Sequence, residues 1–120
     1  MFHDIVQRVM DAIDACQGLQ EFTAGQTVET YRADRLRRRG IEREFEILGE
    51  SLNRVDKADP FFREYLPEMG RIIGMRNRIS HGYDQVDDEV ILLTAEERIP
   101  VLQKKLMAWL KENGEQGLRE

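Results

Sequence analysis

The sequence has little cysteine, little proline and no long apolar run, and each scarcity excludes a class of protein. The single cysteine, Cys16, cannot form an internal disulfide, which excludes a disulfide-stabilised scaffold and makes a reducing cytoplasm the expected location. No window approaches the roughly 18 consecutive apolar residues of a membrane span. Three prolines and no long Gly/Ser tract leave no obvious linker. Residues 1–5 lack the basic and apolar regions of a secretory signal, so none is expected.

The chain does contain enough apolar sequence for one folded domain, which we place over residues 1–120. Hydrophobic residues make up 41% of the 120 residues and charged residues 34%. The net charge of −5 argues against a general DNA-coating protein. Of the 18 basic residues, 14 are Arg. Arginine suits bidentate contacts to phosphate or carboxylate, but a GC-rich genome would give the same bias, and both explanations stay open.

Apolar residues recur at helical spacing through most of the chain, which predicts helices. The predicted helices cover about residues 3–21, 27–58, 67–80, 87–98 and 99–113. Thr27 and Thr30 are expected to cap the second helix, and Gly40 to kink or divide it. The apolar run at 90–93 could pass for a strand, but it has no partner strand. We therefore predict an all-α, antiparallel up-down bundle of four to five helices, with a frayed tail over about 114–120.

One predicted helix, residues 67–81, carries a charge where an apolar residue is expected. At about 100° per residue, Arg76 points in the same direction as a set of apolar residues. These are Met69, Ile72, Ile73 and Ile79. A guanidinium in an apolar stripe is costly unless an anion meets it. The anion is either a glutamate of this chain, in a buried ion pair, or a ligand in a cleft, and the sequence leaves both open.

A second strip of the same helix contains Gly70, Gly74, Asn77 and His81. Glycines four residues apart permit another backbone to approach closely, either within the chain or in a second subunit. Asn77 and His81 are also four apart and therefore adjacent on the helix surface. Because Gly82 follows, the chain can turn at the helix end and bring His81 toward Arg76.

The segment Arg76-Asn77-Arg78-Ile79-Ser80-His81-Gly82-Tyr83 resembles the Arg-x4-His-x-Tyr signature of HepT-like toxins, a branch of the HEPN superfamily. Ile47-Leu48-Gly49-Glu50 in the preceding helix also resembles the Ile-Ile-Gly-Glu pattern of that family. Ser51 follows where alanine is usual, which is a mild departure. The helix order fits over nearly the whole chain.

The resemblance implies a metal-independent endoribonuclease without cofactors, active as a homodimer whose motif helices share one cleft. Attack of a ribose 2′-OH on its phosphate needs a base, an acid and positive charge. His81 is the expected base or acid, since its ordinary pKa lies near ~6.5, and Arg76 the expected phosphate clamp. Asn77 is expected to support the site, and Tyr83 to contact RNA, which would be single-stranded or tRNA-like.

The resemblance also implies a partner, an antitoxin with a nucleotidyltransferase fold, in a type II or type VII-like toxin–antitoxin pair. Such an antitoxin transfers AMP to the motif tyrosine, here Tyr83. Added phosphate charge and bulk beside Arg76 would then exclude RNA.

Several charged residues are possible accessories to this site. Glu50 and Arg78 lie within or beside the two motif segments. An arginine run could extend the RNA track, and consists of Arg35, Arg37, Arg38, Arg39 and Arg43. The favoured interpretation is a solvated helix face in which these arginines pair with Glu42, Glu44 and Glu46.

Two other functions fit parts of the sequence. A non-catalytic helical module could bind a nucleotidyltransferase and present a ligand or substrate to it through the same motif. A di-metal carboxylate bundle could use Glu42, Glu46 and Glu50, but the Glu-x-x-His pairs that such a site needs are missing. There is no Cys/His zinc spacing, Walker loop or dinucleotide fingerprint.

Overall fold

The predicted helices are present in a computed structural model of the chain, which describes the backbone of residues 2–81 and 87–119 and the side chains of 4–79 and 87–114. Within these ranges the backbone forms seven helices and no strand. They are α1 (Phe2–Thr23), α2 (Val28–Ala33), α3 (Arg35–Ala58), α4 (Phe62–Tyr65), α5 (Met69–His81), α6 (Asp88–Glu97) and α7 (Ile99–Arg119). Since α2 and α4 are single short turns, the five longer helices confirm the predicted all-α bundle. The run at 90–93 is helical, not a strand.

The apolar stripes of the long helices meet in one core. Helix α1 packs against α3 and α7, while α5 packs chiefly against α3. The largest buried side chains include Tyr31, Phe45, Leu48, Leu52, Leu66, Met69, Ile72 and Leu106. Cys16 is also fully buried, and burial raises the pKa of its thiol to about 12. As predicted from its place on the apolar stripe, Cys16 is therefore a core residue and not a nucleophile.

The second helical region is divided at Asp34, and the prediction of a break at Gly40 was wrong. Thr27 and Thr30 form a capping box at the start of α2, as the sequence predicted. Asp34 then ends α2 in an extended conformation, and its carboxylate accepts a hydrogen bond from the Arg37 backbone N–H at 3.0 Å. Because this cap starts α3 at Arg35, Gly40 lies inside a continuous helix.

The remaining helix boundaries follow local signals closely. Helix α3 ends at Ala58, where Asp59 precedes Pro60 and forms the C-cap. Helix α5 begins at Met69, two residues later than predicted, because a turn across Pro67 joins the Met69 N–H to the Leu66 carbonyl oxygen at 3.1 Å. Helices α6 and α7 separate at Arg98, as Pro100 predicted.

The end of α7 lies beyond its predicted position. Asn113-Gly114 was expected to terminate the helix, yet α7 continues to Arg119. Two local contacts oppose the stop signal. The Asn113 side chain donates to the Trp109 carbonyl oxygen at 2.9 Å, and Gly114 is buried against Leu110. The predicted tail over 114–120 therefore begins as helix.

A search for membrane spans in the part of the chain that the structure describes found none, since every helix there is too short or too polar to cross a bilayer.

Candidate active site at the contact between α3 and α5

The contact between α3 and α5 is closest at Gly49. A Cβ atom built at Gly49 would overlap Cβ of Arg76 and stand only 2.6 Å from its Cγ. Gly49 and the neighbouring Leu48 and Leu52 are all buried, so the contact lies in the packed interior of the bundle. Only glycine therefore leaves room for the aliphatic stem of Arg76 to cross α3 at this point.

From that crossing, the Arg76 guanidinium reaches two oxygen atoms. Its Nη2 donates to Oε2 of Glu50 at 2.8 Å, and its Nη1 donates to Oδ1 of Asn77, also at 2.8 Å. The side chain of Arg76 keeps 28% of its exposure, so the guanidinium is partly sheltered but not sealed. The two segments that resemble family motifs, on α3 and on α5, thus meet through Gly49, Glu50 and Arg76.

Three of the five N–H groups of the Arg76 guanidinium are either hydrogen-bonded or buried. One hydrogen on Nη1 and one on Nη2 are used by Asn77 and Glu50. The Nε atom is buried and has no hydrogen-bond partner among the described residues. Each terminal nitrogen therefore keeps a second N–H that this part of the chain does not use.

Glu50 is shared between two arginines. Its Oε1 accepts a hydrogen bond from Nε of Arg54 at 2.9 Å, while its Oε2 accepts from Arg76. The hydrogen bond from Arg54 and the nearby charges of Arg76 and Lys57 hold the pKa of Glu50 below its usual value, against the opposing effect of partial burial. Because one carboxylate faces two guanidinium groups, net positive charge is left at this point for a further anion.

The sequence left open whether Arg76 meets a glutamate of this chain or a ligand, and the position of its guanidinium bears on both. The anion that meets it within the chain is Glu50, in an ion pair that is partly exposed and not buried as the sequence interpretation had it. The same guanidinium also lines an open cleft of about 490 Å³ between α1 and α3. The pair is therefore not a closed structural contact, because solvent and ligands reach it.

The cleft itself is acidic toward α1. Five carboxylates line it, against three arginines. The acids are Asp11, Asp14, Glu44, Glu46 and Glu50, and the arginines are Arg8, Arg43 and Arg76. Burial, with a smaller contribution from Asp14, raises the pKa of Glu44. A polyanion is therefore repelled from the α1 side of Arg76 and has better access from the side where Asn77 lies.

The other predicted site residues are distributed around α5. Asn77 is exposed and binds Arg76, which is a supporting contact, and Arg78 is exposed one position further on. The backbone of His81 forms the last residue of α5. The His81 side chain and the whole of Tyr83 lie outside the described residues, so their predicted roles stay predictions.

The arginine run on α3 is largely paired within the chain, and the predicted pairing with glutamates is confirmed for Arg39 and Arg43. Arg37 pairs with Asp34, Arg39 with Glu42 and Arg43 with Glu46, and Arg38 donates to the carbonyl oxygen of Arg32. Glu44 does not join these pairs, because its side chain packs against Gly18 of α1.

The di-metal alternative finds little support in these contacts. Glu42, Glu46 and Glu50 each bind an arginine, so their carboxylates are not gathered around one point. Among the described side chains, no group of three His, Cys, Asp or Glu residues could hold a metal ion.

Sequence reasoning did not find Arg54, which shares Glu50 with Arg76. The signal was present, because Glu50 and Arg54 are four residues apart in a predicted helix and such pairs are adjacent. The contact between Gly49 and Arg76 carried no signal of its own. It depends on how α3 and α5 cross, which spacing along one helix does not give.

The chain was also compared with known proteins. Residues 12–109 match a protein family described as "Ribonuclease HepT-like". The comparisons with curated proteins and with solved structures gave no match.

Proposed function

The chain belongs to the HepT-like ribonuclease family, and from this premise we propose that it is an endoribonuclease that cleaves RNA without a metal ion. The observation that carries the proposal is the arrangement around Arg76. Glu50 and Asn77 hold the guanidinium in place, while one N–H remains on each terminal nitrogen. Arginine is suited to phosphate because its guanidinium can donate more than one N–H to the oxygens of a single phosphate group.

The charge around Arg76 supports the binding of a phosphodiester. Glu50 neutralises one of its two neighbouring guanidinium groups, so Arg54 and Arg76 together keep an excess of one positive charge. Arg76 is positioned by its contacts before any substrate arrives, and little reorganisation is needed when negative charge develops on the phosphate. Glu50 and Asn77 act through Arg76 and are positioning residues.

The reaction that fits these groups is transfer within the RNA. A base removes the proton of a ribose 2′-OH, whose oxygen attacks the adjacent phosphorus atom. The bond from phosphorus to the 5′ oxygen breaks, and an acid protonates that oxygen. The products are a 2′,3′-cyclic phosphate and a 5′-hydroxyl end. Arg76 stabilises the charge of the phosphorane, and His81 is the proposed base or acid.

A homodimer supplies both proton-transfer groups. One chain contributes a single histidine in the motif, His81, so a two-fold axis beside α5 would bring two of them to one cleft. Asn77 is exposed on α5 beside Arg76, which leaves this part of the helix open to the second chain. The mass of the full chain, measured by light scattering at micromolar concentration, is expected to be that of two chains.

The biological role that we propose is that of a toxin neutralised by a nucleotidyltransferase antitoxin. Transfer of AMP to Tyr83 would place a phosphodiester and a nucleoside two residues beyond His81. That group would compete for the same anion site on Arg76 and would stop RNA from entering.

The experiment that tests the nuclease function uses the purified full chain with RNA in the presence of a chelator. Wild type is expected to produce 2′,3′-cyclic phosphate ends, whereas His81→Ala and Arg76→Ala are expected to lose cleavage. Arg35→Ala serves as the matched control, because Arg35 is exposed on α3 and has no partner among the described residues. Equal cleavage by all four proteins would indicate a contaminating nuclease and would refute the assignment.

The second candidate is the non-catalytic module that binds a nucleotidyltransferase. The ion pair between Arg76 and Glu50 favours it, because that pair accounts for the arginine in the apolar stripe without any RNA. If no preparation cleaves RNA but the chain binds and is modified by the transferase, this function replaces the nuclease.

A further inference from the structure

Arginines that have no partner among the described side chains are concentrated at one place. Eight arginines form ion pairs with carboxylates, and Arg38 binds a carbonyl oxygen. Within the described side chains, four have neither kind of contact, and they are Arg35, Arg71, Arg78 and Arg98. Three of these four line the same groove, between α5 and α6.

This groove, which we call the α5–α6 groove, is larger than the acidic cleft and opposite to it in charge. It has a volume of about 650 Å³ and is lined by three arginines and a single acid, Glu97. The three arginines are all exposed. They form no ion pair with a described residue, so their charge is available to a ligand that brings several negative charges.

Apart from Thr94, the rest of the groove lining is apolar or glycine. Gly70 and Gly74 lie on the α5 side, while Val90 and Leu93 lie on the α6 side. Val90 and Leu93 are 48% and 52% exposed, so part of the groove wall is apolar surface that is open to solvent. An apolar lining bordered by guanidinium groups suits nucleobases, whose faces contact apolar and guanidinium surfaces while their phosphates meet the arginines.

The α5–α6 groove is continuous with the candidate active site along α5. Arg78 is the third residue of the motif and follows Asn77, which binds Arg76. The backbone of position 81 lies seven residues, about two helical turns, after Gly74 and so returns to the same side of α5. A strand in the groove would therefore lead to the motif, whereas the acidic cleft on the other side repels it.

We propose that the α5–α6 groove binds the single-stranded RNA that flanks the scissile phosphate, with Arg71 and Arg98 on its phosphates. This proposal rests on the proposed function, because it takes RNA as the substrate. A second copy of the chain is a poorer occupant. In a two-fold interface the same surface meets itself, so three arginines would face three arginines across the axis.

The test compares two double variants with equal loss of charge. Arg71→Gln/Arg98→Gln removes the two groove arginines that lie outside the motif. Arg35→Gln/Arg39→Gln removes two exposed arginines of α3 and is the control. Both are made in the His81→Ala background to prevent cleavage, and each is titrated with fluorescein-labelled single-stranded RNA of roughly twelve nucleotides.

The groove variant is expected to bind this RNA roughly tenfold more weakly than its parent. The slope of log affinity against log salt should also fall by about 1.4, since each phosphate contact to a single strand contributes about 0.7. The control should stay within about twofold of the parent, because general electrostatic attraction alone changes little with two of many charges.

Three results would overturn the proposal. Equal weakening of RNA binding in both variants would mean that general electrostatic attraction binds the RNA. Greater weakening in the control variant would place the RNA-binding surface on α3. If the parent protein binds no RNA, RNA is not the ligand of the groove. A groove variant that keeps RNA but changes its dimer mass or its affinity for the transferase would identify a protein as the occupant.

A second measurement separates this proposal from the nuclease function. With His81 intact, both double variants should cleave a diribonucleotide at the wild-type rate, because one phosphodiester is too short to occupy the groove. If wild type cleaves no RNA while the groove variant alone loses binding, the groove stands and the nuclease function fails. If cleavage is normal and binding is unchanged, the groove fails and the nuclease function stands.

Discussion

Gly49 of α3 lies directly beneath the stem of Arg76 of α5, so closely that no Cβ atom fits between them. The position of the guanidinium therefore depends on the absence of a side chain on the neighbouring helix. Glu50, the next residue of α3, then accepts a hydrogen bond from the same arginine. Two consecutive residues of α3 thus position Arg76, since Gly49 leaves space for its stem and Glu50 accepts its hydrogen bond.

Gly49→Ala should consequently destabilise the fold and displace Arg76. We expect the free energy of unfolding to fall by about 1–3 kcal/mol, since the added methyl group forces α3 and α5 apart. Urea unfolding followed by circular dichroism measures this. Gly40→Ala is the matched control in the same helix, because its Cβ would lie an ordinary 3.5 Å from Phe22. That variant should be more stable by about 0.5–1 kcal/mol, and equal losses in both would contradict the close-approach explanation.

The shared carboxylate of Glu50 predicts a pH dependence of stability. Its folded-state pKa is lowered, chiefly by the hydrogen bond from Arg54, so its contribution is present above the unfolded value of about 4.3. That contribution is lost as pH falls through the folded-state pKa. The difference in stability between wild type and Glu50→Gln should therefore be largest near neutral pH and shrink in acid.

Urea unfolding at several pH values checks this difference. Glu96→Gln is the control, because Glu96 is exposed and forms no ion pair with any described residue. A difference for Glu50→Gln that stays constant from neutral to acid pH would show that the carboxylate is not bound by its arginines in solution.

Arg76→Lys should fail to replace arginine in catalysis although the charge is kept. A lysine ammonium lacks the planar fork that holds Glu50 and Asn77 while presenting two further N–H groups. We expect kcat to fall roughly 10²–10³-fold, as for the loss of one donor to a developing oxyanion. Rates on a defined RNA substrate test this, and wild-type rates in Arg76→Lys would mean that only charge matters.

If the proposed pairing is right, Tyr83 should gain an AMP group when the chain is produced together with the proposed nucleotidyltransferase antitoxin. Mass spectrometry of the Tyr83 peptide is expected to show the gain in wild type, and Tyr83→Phe should abolish it together with the neutralisation. Tyr65→Phe is the control, since the Tyr65 hydroxyl is already bound to the Lys105 carbonyl oxygen. Modification that persists in Tyr83→Phe would place the acceptor elsewhere.

The parts of the fold that sequence predicted are those set by local signals. The cap at Thr27, the stop at Asp59-Pro60 and the break before Pro100 each depend on residues within one turn of the boundary. The errors occurred where two local signals competed. At the start of α3, the cap formed by Asp34 determined the boundary, and Gly40 did not interrupt the helix. At the end of α7, the Asn113 side chain binds the Trp109 carbonyl oxygen, and the helix continues past its predicted end.

Only the features of the candidate site that lie on a single helix could be predicted from the sequence. Periodicity showed that Arg76 shares the apolar face of α5, and the many glutamates made an ion pair one of two outcomes. Which glutamate is used depends on how α3 crosses α5, and that crossing follows from packing across the core. Glu50 was therefore predicted only as a possible accessory residue, and Arg54 was not predicted.

Helix α5 is attached to the bundle mainly by its contact with α3. A helix held mainly by one neighbour loses fewer contacts on detaching than a helix packed between two, as α1 is packed between α3 and α7. Amide hydrogens of α5 should thus exchange with solvent sooner than those of α1. On the same ground, a protease should cleave the motif-bearing helix α5 before it cleaves α1.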